Sequence, residues 1–234
     1  TAWIYRNETA VGQGIADAVA EGLVTRDQLF VTTKIWVDHF THDALLRQAE
    51  ESARSLGLAP DLLLLHWPKP RPALYETIGA LNAARTRGLA HAIGVSNFPS
   101  AFWREAAALS DAPLVTNQVE YHPYLSQRTL IATARDLGSS LTAWSPLAQG
   151  RVATDPVIGE IAARHGRTAG QVALRWLVQQ GVAAIPKTTS EARARENFAI
   201  FDFALTDDDM ARIHALARPD GRIGDWIDPA FQWD

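Results

Sequence analysis

Cysteine is absent from this chain of 234 residues. That excludes disulfides, thiolate catalysis and cysteine-ligated zinc. An excess of positive charge is also missing. The chain has 22 Lys and Arg against 26 Asp and Glu, a net charge of −4 and a pI of about 6.0. This balance argues against nucleic-acid binding or a polybasic contact with a membrane surface. No apolar stretch approaches bilayer-spanning length, and no signal peptide is visible. A reducing cytoplasm is the expected location. There is no Gly/Ser linker, no low-complexity tract and no G-x-G-x-x-G fingerprint. The nearest match, GQG at 12–14, lies inside a helical pattern.

What is present is 47% hydrophobic residues, enough for a large core in one domain. Apolar, β-rich runs alternate with amphipathic ones. Strands are expected over 29–36, 61–67, 89–97, 113–121, 140–146 and 182–188. Helices are expected over 7–23, 43–57, 73–88, 100–109, 126–138, 156–166, 168–181, 191–201 and 206–217. Thr168/Gln171 and Thr206/Asp209 have capping-box spacing. The alternation demands a parallel sheet with right-handed crossovers. Without a dinucleotide fingerprint, a (β/α)8 TIM barrel is a better reading than an open doubly wound sheet. Such a barrel needs eight strands. The chain is therefore expected to be a single barrel domain over 1–234 with an extra helix and tail at 206–234. It is expected to be incomplete at its N-terminus, with strand 1 and most of strand 2 absent.

Tyr5 in TAWIYRNE, Lys34 in TTKIW and His66 in LLLLHWP are the candidate catalytic residues. Lys34 and His66 fall where apolar runs give way to loops, and barrel active sites form at C-terminal strand ends. A lysine beside a tyrosine is expected to lower the phenol pKa. A histidine can orient a carbonyl. Trp3, Trp36 and Trp67 lie within two residues of these positions and suggest an aromatic pocket wall. Trp176 reads as core. His39 and His42 have H-x-x-H spacing but only Asp38 and Asp43 nearby, so no metal site is expected.

Later strand ends carry neutral hydroxyl and amide groups: Ser96 and Asn97 in GVSNF, and Gln118 in NQVEYHP. These can satisfy a carboxamide or serve as turn residues. Trp144 and Ser145 end another strand, where an indole could stack on a flat heterocycle. Lys187, Thr188, Ser190, Arg193 and Arg195 in IPKTTSEARAREN surround a strand end and a helix N-terminus, a setting that attracts anions.

Taken together and in order, TAWIYRNE, TTKIW, DLLLLHWP, IGVSNF, TNQVEYHP, AWSPLAQG and IPKTTSEARAREN resemble the aldo-keto reductase family. The resemblance covers almost the whole chain. It is nearest to bacterial members of the 2,5-diketo-D-gluconate and methylglyoxal reductase type. It implies NADPH-dependent reduction of a small-molecule aldehyde or ketone, by a monomer. Tyr5 would donate the proton, Lys34 would lower its pKa and His66 would orient the carbonyl. Ser96, Asn97 and Gln118 would hold the nicotinamide carboxamide, and Trp144 would stack on the ring. Ser145, Pro146, Leu147 and Gln149 would follow the pyrophosphate. Lys187, Thr188, Thr189 and Arg193 would bind the 2′-phosphate, with Glu196 and Asn197 near the adenine.

Two departures stand out. The family's aspartate partner of the lysine would fall directly before Thr1. Trp3 stands where glutamine is common, which should narrow the pocket. The alternative class is a non-catalytic NADP-binding regulatory subunit or a truncated pseudoenzyme. Retention of Tyr5, Lys34 and His66 argues against it.

Overall fold

The computed structural model describes residues 1–224 and 227–234; Asp225 and Trp226 lie outside the described residues. The strands are β1 (Thr32–Ile35), β2 (Leu62–Leu65), β3 (Ala92–Ser96), β4 (Leu114–Glu120), β5 (Ser140–Trp144) and β6 (Ala183–Ala184). They form one six-stranded sheet in chain order. β1/β2, β2/β3 and β5/β6 are parallel pairs. This is the α/β alternation the sequence demands. No helix among the described residues is long and apolar enough to cross a membrane.

The chain's contacts divide into two compact units. The first holds Thr1–Asn117, Asp136–Ser139 and Ile227–Asp234. Its helices are α1 (Glu8–Ala20), α2 (His42–Leu56), α3 (Leu74–Thr86) and α4 (Ser100–Leu109). All of β2 is buried, which explains its unbroken run of leucine. In register, Lys34 sits beside Leu64, and Leu64 beside Gly94. The GQG fragment has a packing role. A Cβ on Gly12 would lie 2.3 Å from the Leu56 carbonyl oxygen, so α1 and α2 approach backbone to side-chain-free backbone. Buried Glu8 accepts a hydrogen bond from Thr33 and ties α1 to β1.

The second unit holds Gln118–Arg135 and Ser140–Trp226. It contains α6 (Pro156–His165), α7 (Ala169–Gln179), α8 (Glu191–Phe198) and α9 (Asp207–His214), while α5 (Arg128–Asp136) falls almost wholly within it. Both capping boxes form, at Thr168/Gln171 and Thr206/Asp209. Trp176 is buried, as expected of a core residue, and its indole N–H donates to His214 at 2.7 Å.

One local expectation is corrected. β6 is only two residues long, so Lys187, Thr188 and Thr189 lie in the loop beyond it. Pro186 supplies no N–H to a ladder, which stops the strand there. Lys34 is the next-to-last residue of β1, near the strand end as expected. Tyr5 closes a one-turn 3-10 helix, Trp3–Tyr5, followed by Arg6 in the left-handed region at φ 55°.

Candidate active site

The first unit brings Tyr5, Lys34 and His66 together. The Tyr5 hydroxyl lies 3.3 Å from His66 Nε2, and the two rings meet edge to face at 5.6 Å. The Lys34 ammonium lies over the Tyr5 ring, 5.3 Å from its centroid. Trp36 closes another side, edge-on to His66 at 5.3 Å. Its backbone N–H is held at 2.8 Å by the buried Gln48 side chain.

Burial sets the protonation of all three. Lys34 is buried, and desolvation lowers its pKa to about 8. It donates to the Thr1 carbonyl at 2.9 Å. At pH 7 it therefore remains largely charged. Burial, then the Lys34 charge, lowers His66 to about 3, so the imidazole is neutral throughout the physiological range. Its Nδ1 is buried without a partner among the described residues. A bare lone pair costs less there than an unpaired N–H, so we assign the proton to Nε2. His66 is then a donor at Nε2, and the Tyr5 O–H is left free to point elsewhere.

The expected lowering of the Tyr5 pKa is a correction. The structure raises it, through desolvation, although the residue keeps 53% of its surface exposed. A cation over the ring face, with its charge already engaged by a carbonyl, does not offset that burial. The consequence is a phenol protonated at neutral pH.

Trp3 packs on His39 at 5.0 Å and carries the Arg6 guanidinium 3.8 Å over its ring. Trp67 meets Trp233 edge-on at 6.3 Å. At the end of β3, Ser96 and Asn97 are buried, with Asn97 at φ 63°. The Asn97 amide donates to the His66 carbonyl at 3.0 Å and to the Ser96 hydroxyl at 3.1 Å. A residue the sequence reading missed, Asn117, locks the following loop. It donates to the Phe98 carbonyl at 2.8 Å and accepts from the Phe98 N–H at 3.3 Å. Its place directly before Gln118, in TNQ, is the only signal that could have found it.

In the second unit Gln118 is buried in β4, and Trp144, half-buried, ends β5. The chain then turns sharply. Ser145, Ala148 and Gln149 have φ of 49°, 48° and 54°, a region non-glycine residues rarely enter. Strained backbone of this kind clusters at functional sites. No glycine advertises this at 145, 148 or 149. Pro146 is buried and Leu147 half-buried.

Beyond β6, Ser190 caps α8 by accepting from the Arg193 N–H. Arg195 pairs with Glu191 along the helix at 2.8 Å. Lys187 and Arg193 have no ion-pair partner among the described residues. Glu196 accepts a hydrogen bond from the Thr168 hydroxyl at 2.5 Å. Thr188 and Asn197 line a cavity of about 630 Å³ whose other walls include Val182, Pro186 and Phe198.

The family model described as Aldo/keto reductase family matches residues 1–218. The chain belongs to this family. It is an oxidoreductase. A crystal structure provisionally assigned as a 2,5-diketo-D-gluconic acid reductase B is 52% identical, with a TM-score of 0.94, covering 100% of this chain and 82% of that one. The crystal structure of a Bombyx mori aldo-keto reductase in complex with NADP is 37% identical, with a TM-score of 0.86, covering 92% of this chain and 76% of that one. The methylglyoxal reductase DkgB of Yersinia pestis is 37% identical over 97% of this chain and 87% of its own length.

Proposed function

We propose that the chain catalyses NADPH-dependent reduction of small aldehydes or ketones to alcohols, with Tyr5 as proton donor. The observation that carries this is the contact of the Tyr5 hydroxyl with a neutral His66 beside the Lys34 ammonium. A carbonyl oxygen placed against Tyr5 Oη and His66 Nε2–H would receive two hydrogen bonds. As negative charge develops on that oxygen, the donors are already aimed and need no reorganisation. Tyr5 then transfers its proton. The Lys34 charge stabilises the phenolate left behind, and His66 holds the oxygen in place. The (β/α)8 barrel is the fold we infer, supported by the parallel chain-order sheet and the likeness to the solved reductases.

The residues present fit the cofactor. Ser96 and Asn97, buried in the first unit, and separately Gln118, buried in the second, carry hydroxyl and amide groups of the kind a carboxamide needs. Trp144 offers an indole face to its ring. The loop of Ser145, Pro146, Leu147, Ala148 and Gln149, left-handed at Ser145, Ala148 and Gln149, would follow the pyrophosphate. Lys187 and Arg193, which have no ion-pair partner among the described residues, suit with Thr188 and Thr189 a 2′-phosphate at the start of α8, and Glu196 and Asn197 lie on the same helix for the adenosine end. When bound, NADPH supplies the hydride.

The primary test is oxidation of NADPH, followed optically, with methylglyoxal and simple aldehydes. Turnover supports the reading. Tight NADPH binding without turnover on any aldehyde or ketone would instead favour the regulatory-subunit class.

Arg193→Met should weaken NADPH binding by about 10–100-fold, the worth of a charge-assisted hydrogen bond of about 1.5–3 kcal/mol. NADH binding should barely change. Equal losses for the two cofactors, measured by titration, would contradict a 2′-phosphate site there. NADPH should also quench tryptophan fluorescence, and Trp144→Ala should remove much of that quench. An unchanged signal would assign the quench to another tryptophan.

A further inference from the structure

The tail after α9 carries RPDGRIG at 218–224, to which the mechanism assigns nothing. Both glycines sit where no side chain fits. A Cβ on Gly221 would lie 1.7 Å from the Tyr124 carbonyl oxygen, and one on Gly224 would lie 2.5 Å from Cη2 and 3.3 Å from Cζ3 of Trp144. Neither glycine has a positive φ, so lack of space and not backbone conformation demands glycine here. The backbone of Gly224 is pressed against the outer edge of the Trp144 indole.

Glu120 holds it there. This carboxylate is 1% exposed. Its two oxygens accept from the Ile223 N–H at 2.6 Å and the Gly224 N–H at 2.8 Å. The first oxygen also meets His122 Nε2 at 2.8 Å, inside a fully buried pair. Burial pushes the Glu120 carboxyl up, but the hydrogen bonds from His122, Gly224 and Ile223 outweigh it and leave the pKa below the usual range. A buried anion with charge-assisted bonds to two consecutive backbone N–H groups fixes that backbone more firmly than a neutral acceptor would. The tail at Gly224 is thus a stop set by Glu120, and the part stopped is the indole edge.

We propose that Glu120 and Gly224 are positioning residues that set where the Trp144 indole lies. The function of that placement rests on the reading of Trp144 as the platform for the nicotinamide. A ring displaced outward would meet the cofactor in the wrong plane. Glu120 and Gly224 act on the cofactor only through Trp144.

The test is a size-compensation cycle. Gly224→Ala inserts a methyl group where Cη2 and Cζ3 stand. Trp144→Phe removes those outer ring atoms. Three measurements are made on wild type, both single variants and the double variant. They are near-ultraviolet circular dichroism without cofactor, NADPH affinity, and kcat for an aldehyde. Gly224→Ala alone should alter the tryptophan dichroism and weaken NADPH about tenfold; in the Trp144→Phe background it should change affinity by less than about twofold, because the pair is coupled. Glu120→Gln should shift the same dichroism bands and weaken NADPH in the same direction. If Gly224→Ala does not fold alone, folding of the double variant carries the same conclusion, and failure of both overturns it. Equal effects of Gly224→Ala in the two backgrounds would also overturn it, as would no spectral change. If the dichroism couples as expected but Trp144→Ala leaves NADPH affinity and quench untouched, the positioning of the ring stands and the cofactor role of Trp144 fails.

Discussion

Tyr5→Phe is expected to lower kcat for carbonyl reduction by about 10²–10⁴-fold, the usual contribution of a positioned general acid. The phenyl ring keeps the edge-to-face contact with His66 and its place under the Lys34 ammonium. It loses only the hydroxyl. NADPH affinity should therefore stay near that of wild type, and the loss should fall on kcat and on kcat/KM together. The hydroxyl makes its one described hydrogen bond to His66 Nε2, at 3.3 Å. Removing so long a bond from a half-exposed ring should cost little stability. A variant that retained near wild-type kcat would refute Tyr5 as the donor. The raised phenol pKa sharpens the expectation. Tyr5 is protonated at neutral pH, so no decline in rate from loss of the donor proton should appear below the ordinary phenol value of 10.0.

The second large effect is on stability in acid. His66 is held neutral down to about 3, whereas in the unfolded chain it titrates near 6.5. Between those values the unfolded chain binds the proton and the folded chain does not. Stability is thus intact above pH 6.5 and declines as pH falls toward 3. The difference corresponds to about 5 kcal/mol, comparable with the whole stability of many domains. Urea unfolding of the cofactor-free protein across this range should show wild type losing up to about that much more than His66→Gln. Parallel curves for the two proteins would show that His66 is not held neutral. The same neutrality serves the chemistry: an imidazole donates to a carbonyl oxygen at Nε2 without giving up its proton.

Much of this protein is written locally in its residues. The unbroken leucines of β2, the caps at Thr168 and Thr206 and the alternation of strand and helix follow from propensity and period, and they appear where the sequence puts them. Tyr5, Lys34 and His66 could be picked out because each combines chemical capability with an apolar neighbourhood. Their meeting, with Trp36 against His66, is what the tertiary structure adds.

Other properties depend on atoms far apart in sequence. The Tyr5 pKa is not legible in the sequence, because a pair of residue types predicts the sign of a charge effect but not the depth of burial that competes with it. The short β6 and the left-handed backbone at Ser145, Ala148 and Gln149 are imposed by surroundings that no propensity records. Glu120 and Gly224 lie 104 positions apart, and nothing in either residue type announces the other. Hydrophobic period and capping act within a few residues and can be read from the chain. Desolvation, close packing and the pairing of a buried charge are sums over neighbours that only folding assembles.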